Sequence, residues 1–405
     1  MGILGLRDTA SYASDRFQNW RRTILYSFPN GAAPLTAFLS LTEPEGTNDP
    51  HFNWYQKPLP TQRSVLTGSY SGVATSIAVA EANFRVGHQL LNEATNEVME
   101  VTGVSSDGLT LTVHRGEWGA AAASSGADDA IVIIGNINAE GGGSPQAISV
   151  DPTPKTNITQ IFRSPLELTG TAMQTALKYD RTGPYKERLR EALNFHSIEM
   201  EKAFLFGKYA EWNDPADGKL KRTTRGILDF LPAGYKVTPA DAGGVMTLTE
   251  WEDFAELAFR VCSNSNSEKL VLLGSGALKA VNRLAQQQGE MKTVAGDEAF
   301  GMALNRWHTP YGTLYLRTHP LFTQHPVWRY TMLILDVHNL HYRYVNGRDT
   351  TRLTNRQAND ADSRKDEFLT ECGLEVHHYG VGATAEAANE GTHLLITNVR
   401  GADVS

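Results

Sequence analysis

Asp336, His338 and His341 stand in the segment Leu335-Asp336-Val337-His338-Asn339-Leu340-His341-Tyr342. On a strand, alternation would put Asp336 and His338 on one side, which could begin the metal site of a hydrolase. Such a site also needs a third ligand and hydrogen-bond partners behind it, and the sequence nominates neither. These residues therefore read as surface or interface groups, and no metal or cofactor is expected. His377-His378, His319-Pro320 and His325-Pro326 point no further, because proline pins extended loops that histidine tolerates. His196 has no partner four residues along its helix and reads as a satisfied core or interface histidine.

Nucleotide and hydrolase motifs are missing. Neither G-x-x-x-x-G-K-[ST] nor G-x-G-x-x-G opens a helix after a strand, and no G-x-S-x-G occurs. Gly274-Ser275-Gly276 joins a buried strand to a helix and could seat an anion, but one Gly-Ser turn is a weak signal. The two cysteines, Cys262 and Cys372, lie in apolar segments and read as reduced packing residues.

The elements around these residues are more informative. The chain has 405 residues and a net charge of −8, with 41% hydrophobic and 20% charged residues, the composition of a folded protein with two or three lobes. An acidic chain argues against a dedicated nucleic-acid binder. No segment reaches the roughly 18 apolar residues of a membrane span, so membrane insertion is not expected.

The first fifty-odd residues are broken by Pro29-Asn30-Gly31, Pro34, Glu43-Pro44-Glu45-Gly46 and Asp49-Pro50, which permit only short elements. Their aromatics, Tyr12, Phe17, Trp20, Tyr26, Phe28 and Phe38, need a partner surface. Between Gly68 and Gly135 the period becomes that of strands, at Ile77–Val79, Glu97–Val101, Leu109–Val113 and Ile131–Ile134. Ser105-Ser106-Asp107-Gly108 signals a hairpin. A small all-β module is expected, with Gly141-Gly142-Gly143-Ser144-Pro145 as its exit hinge.

A long helix is predicted from Pro184 to Phe206, with Pro184 at the first position and Gly207 as a left-handed cap. Leu189, Ala192, Leu193, His196, Met200, Ala203 and Phe204 form one buried stripe, and a second stripe, Phe195, Ile198 and Leu205, lies off that face. The charged set Lys186, Glu187, Arg188, Arg190, Glu191, Glu199, Glu201 and Lys202 alternates in sign and reads as a solvated face on which a neighbouring subunit could pair. A capping box, Thr247-x-x-Glu250, opens a further helix. The strand Leu270–Leu273, a helix over 275–288 and strand runs at 313–316, 330–335, 368–370, 374–376 and 393–396 complete an α+β reading.

This order of parts resembles the HK97-fold major capsid proteins of tailed bacteriophages, with SU10-type major head proteins nearest in pattern. The residues carrying the likeness are Trp54-Tyr55-Gln56-Lys57-Pro58-Leu59-Pro60, Leu168-Thr169-Gly170-Thr171-Ala172 and the run Lys178 to Glu187. Glu199 to Gly207, Thr224-Arg225-Gly226-Ile227 and Glu371 to His378 add to it. The resemblance implies an N-terminal arm (1–54), an extended loop (55–160) bearing the β module (about 70–136) and a peripheral domain with a spine helix (161–224). An axial domain (225–345) and C-terminal return strands of the peripheral domain (346–405) follow. It further implies a virion shell built from pentamers and hexamers of this chain around double-stranded DNA, without enzymatic activity, together with a portal protein and scaffold or cement proteins. Trp20, Trp54, Arg63, Lys186, Glu187, Arg190, Glu191, Glu199 and Lys202 are the candidate assembly contacts. A phage tail or decoration protein that binds surface glycans through the β module is the alternative reading.

Overall fold

A computed structural model describes residues 34–39, 44–56, 62–118, 123–145, 147, 149, 151–175, 183–260, 267–287, 294–299, 302–378 and 391–402. Trp20, Cys262 and the other arm aromatics before Pro34 lie outside the described residues.

The predicted spine helix spans Pro184–Phe206, with Pro184 in its first turn and Gly183 at φ 93° before it. At about 1.5 Å per residue it is about 34 Å long. Its end differs from expectation, because Gly207 has φ −56° and is not a left-handed cap. A close backbone crossing demands glycine there instead. The N–H of Gly226 donates to Gly207 O at 2.9 Å, and a Cβ on Gly226 would lie 2.8 Å from Ala203 O.

The spine packs on a mixed sheet whose order is Glu45–Thr47, Leu340–Val345, Ser363–Val376, Gln160–Thr169, with Thr351–Leu353 also on the long strand. Leu166, Ala192 and Phe368 join the two layers, with Tyr185 and Leu189 packed against them. The two runs predicted at 368–370 and 374–376 are one 14-residue strand. Gly373 does not break it; a side chain there would press on Phe52 and Ile158 O.

A second sheet runs Lys236–Val237, Leu394–Ile396, Met332–Leu335, Glu268–Leu273, Thr313–Thr318, Met302–His308, Val294–Ala299. The capping box is present: Glu250 N–H donates to Thr247 Oγ1 at 3.3 Å, Thr247 N–H to Glu250 Oε2 at 2.8 Å, opening the helix Leu248–Phe259. The following helix is Ser275–Gln287. Two strand pairings in these sheets cross the expected domain limits. Leu394–Ile396, expected among the peripheral return strands, pairs with Met332–Ile334, whereas Leu340–Tyr344, expected in the axial domain, pairs with Tyr344's partner Cys372 and onward to Val376. Segments exchange sheets because each completes the apolar face that lacks a neighbour.

The strand His51–Gln56, which crosses the expected limit between arm and extended loop, pairs antiparallel with Thr153–Ile158 near the loop's other end. Between them lies a six-stranded sheet ordered Arg63–Val65, Ala130–Asn136, His88–Asn92, Val98–Val104, Thr110–Arg115, Ser76–Ala78. Its ends meet through the Leu66–Val79 bridge, flanked by Thr67 N–H to Ala78 O and Ala80 N–H to Val65 O, both 3.0 Å. Closure makes a small barrel around Leu66, Ile77, Leu90, Met99, Leu111 and Ile131. The first strand lies before the predicted start of the module, and His88–Asn92 carries too few β-branched residues to announce itself.

Candidate assembly surface

At about 100° per residue, the predicted charged face of the spine divides into two stripes. Lys186, Arg190 and Leu193 share one; Arg188, Glu191, Phe195, Glu199 and Lys202 share the other. Lys186, Arg190, Glu199 and Lys202 are exposed, while Glu187 and Glu191 are half-buried, and Arg188 donates to Glu191 at 2.6 Å. One apolar expectation fails. Leu193 is 41% exposed, because the buried arc turns along the helix, while Phe195, off the predicted buried stripe, is 56% exposed. The first half buries Ala192 and His196 on the sheet, and the second also buries Glu201, Phe204 and Leu205.

Glu201 is the main correction to the solvated face, since it is fully buried. Its carboxylate accepts from the N–H groups of Leu35 at 2.8 Å and Thr36 at 2.7 Å, and from Thr36 Oγ1 at 2.5 Å. It thereby caps the short helix Pro34–Leu39, whose first amides have no intrahelical partner. On its other side is His319, also fully buried, with Nε2 at 2.8 Å. His319 Nδ1 accepts from Leu321 N–H at 3.2 Å, so the proton sits on Nε2 and is donated to Glu201. One carboxylate thus joins the arm, the spine and the lobe of the second sheet.

His196 is likewise a structural group. Its ring lies between Ser164 Oγ at 2.9 Å and Thr370 Oγ1 at 2.7 Å, and burial lowers its pKa. At the start of the spine, Asp366 receives Tyr185, Arg352 at 3.0 Å and the N–H of Asn355 at 3.0 Å. Burial alone would raise its pKa, but these hydrogen bonds and that of Arg364 hold it at about 2.

Trp54, a candidate contact, is turned inward at 7% exposed, its ring 6.0 Å from Phe230 and 6.1 Å from His377. Arg63 lies on the barrel and clamps Glu93 at 2.9 and 2.6 Å. Deeper in the barrel, Arg115 grips the buried Glu97 at 2.8 and 2.5 Å and also donates to Ser71 O and Ala123 O.

Asp336 and His338 do not alternate on a strand, because Val337–Asn339 is a 3₁₀ turn capped by Asp336. Asp336 accepts from Asn339 Nδ2 at 3.1 Å, while His341 packs against His377 with ring centroids 4.9 Å apart. Among the described residues no three metal-ligating side chains converge. The Gly274 turn is closed by packing, since a Cβ there would strike the backbone of Arg329. Cys372 is buried, and burial pushes its thiol pKa up.

The sequence reading missed a further exposed set. The hairpin Ala210–Asn213 with Leu220–Thr223 presents Trp212, Leu220 and nearby Tyr209 to solvent. The Asp214 to Gly218 turn between its strands was the available signal. Together with Phe195 and Leu193, these groups leave large apolar side chains uncovered on a single copy.

Residues 10–387 match the family described as SU10 major capsid protein. A relative described as a major capsid protein, from Pseudomonas phage PaMx41, is 27% identical over 333 residues, covering 81% of this chain and 78% of its own. The solved structure described as Mycobacterium phage Cain has a TM-score of 0.49 at 12% identity, covering 98% of this chain and 99% of that one. The Cyanophage A-1(L) capsid asymmetric unit has a TM-score of 0.47 at 10% identity, covering 98% and 100%.

Proposed function

The chain belongs to the SU10 major capsid protein family, and we propose on that premise that it is the subunit that closes into pentamers and hexamers and then into an icosahedral phage head. The head would enclose double-stranded DNA. The observation that carries this reading is the family match across residues 10–387, nearly the whole chain. It favours a shell subunit over a glycan-binding tail or decoration protein, and a structural role over an enzymatic one.

On this reading residues 1–54 are the arm and 55–160 the extended loop, whose barrel sits beyond the pairing of His51–Gln56, at the junction of arm and loop, with Thr153–Ile158. Residues 161–224 are the peripheral domain with its spine, 225–345 the axial domain and 346–405 the return, with the strand exchanges described above. The two-stranded leg buries Phe52, Trp54 and Ile158 on its own core and leaves the other face of His51–Gln56 exposed, which suits a segment that also lies against a neighbour. Heterologous contacts of this kind close into rings when the rotation permits. Exposed ion pairs contribute about 0–1 kcal/mol each, so shell strength comes from large overlapping area. Portal and scaffold or cement proteins would complete the particle, which is made in the host cytoplasm and contacts DNA without reading its sequence.

Expression of the chain alone, followed by electron microscopy and sedimentation, tests the reading. Icosahedral shells or five- and six-membered rings are expected; a monomer that stays monodisperse at high concentration overturns it.

A further inference from the structure

The two helices flanking the strand Glu268–Leu273 carry opposite charge. Leu248–Phe259 holds Glu250, Glu252, Asp253 and Glu256 and no base. Ser275–Gln287 holds Lys279 and Arg283, one turn apart, and no acid. Within the acidic helix Glu250 is engaged by the capping box and Glu256 by Arg260 at 2.9 Å. Glu252 and Asp253 are exposed and make no ion pair among the described residues.

On the basic helix, Lys279 and Arg283 are exposed at a shallow groove of about 350 Å³ that Ser275, Leu278 and Asn282 complete. More cationic charge stands beside it. Arg329 and Arg400 lie 5.2 and 5.4 Å from the Tyr330 ring, which packs over Gly276 in the first turn of the helix. A chain with net charge −8 thus concentrates at one groove cations that make no ion pair among the described residues.

We propose that this groove receives the Glu252–Asp253 edge of the acidic helix from a second copy of the chain. The inference rests on the shell-subunit reading and deepens it by naming a contact around the ring. A closed ring of identical chains needs one surface that offers and a different one that accepts, and these two helices are complementary in sign. Charges at the rim of such a contact fix register and speed association more than they tighten it, so assembly should weaken as salt screens them.

Charge exchange tests the pairing. Lys279→Glu with Arg283→Glu is expected to lower the yield of rings or shells by about tenfold or more at low salt, and Glu252→Lys with Asp253→Lys to do the same. Combining all four substitutions in one chain is expected to restore assembly. The neutral set Lys279→Gln, Arg283→Gln, Glu252→Gln and Asp253→Asn serves if a reversal harms folding, which circular dichroism would show. Assembly of either reversed pair at the wild-type yield overturns the inference. So does a folded fourfold variant that assembles no better than its parents. If the groove substitutions instead abolish binding to double-stranded DNA while shells still form, the groove is a phosphate-backbone site and the pairing is wrong. A wild-type chain that never assembles overturns the shell reading and this inference with it; wild-type shells indifferent to the substitutions overturn this inference alone.

Discussion

His319 Nε2 donates to Glu201 Oε1 at 2.8 Å with both side chains fully buried, and the same carboxylate holds the first amides of the helix at Pro34. Removing the carboxylate would strand donors from two other segments. Glu201→Ala is expected to destabilise the chain by about 3–5 kcal/mol, since each unsatisfied buried donor costs about 1–3 kcal/mol. Glu201→Gln keeps one acceptor oxygen and is expected to cost less. Chemical denaturation of both variants checks the order, and a loss below 1 kcal/mol for Glu201→Ala would refute the joint.

Acid should weaken the subunit in two windows. His378 is held at about 4, below its ordinary 6.5, first by burial and then by Lys269 and Lys155. Between those pH values the unfolded chain binds the extra proton. Its contribution is therefore complete above pH 6.5 and declines by ~3 kcal/mol as pH falls to 4. His196, His341 and His393 are shifted in the same direction, with burial the main cause. Asp366, depressed to about 2, stabilises above its ordinary 3.8 and loses that contribution only as pH falls toward 2. Melting temperatures across pH 7 to 2 should fall in both windows, and His378→Phe should flatten the upper one.

The barrel has its own weak point in the Glu97–Arg115 pair. Arg115→Met leaves a carboxylate buried without its counter-ion and frees the carbonyls of Ser71 and Ala123. A cost of about 3–5 kcal/mol is expected. Hydrogen exchange should show the loss in residues 62–136 and leave the spine protected.

Gly226→Ala probes the crossing beneath the spine. Gly226 has φ −93°, a conformation alanine accepts, so any penalty comes from contact with Ala203 O and Gly207 N, each 2.8 Å from the added carbon. A destabilisation of about 1–3 kcal/mol is expected. Denaturation midpoints unchanged from the wild type would show that the two backbones can part without cost.

Phe195→Ser should separate assembly from folding. The ring is 56% exposed, so stability is expected to change by no more than about 0.5 kcal/mol. Shell yield, read by sedimentation, should nevertheless drop, because a large apolar group on a spine stripe would lose its partner copy. Wild-type yield would remove Phe195 from the contact.

Much of the local structure was legible in the sequence. The limits of the spine follow from Pro184 and the run of helix-periodic residues after it. The Thr247–Glu250 box and the Ser105–Gly108 turn are likewise local, because their partners lie within five residues of one another. The overall α+β order followed from the same signals. Which spine residues face inward did not. Periodicity assigns a residue to a stripe without saying what covers that stripe, so Leu193 was placed inside and Glu201 outside.

The sequence alone determined the limits of the spine, the start of the helix at Leu248 and the Ser105–Gly108 turn, since those choices are made by side chains within a turn or two of each other. Only the tertiary structure decided that Glu201 is buried, for its partners Leu35 and His319 lie 166 and 118 residues away. It likewise decided that Leu394–Ile396 completes the sheet of Met332–Leu335 and that Gly207 serves a backbone crossing. The physical reason is that a buried carboxylate or a bare glycine is stable only against particular distant atoms, and local patterning contains no record of which atoms those are.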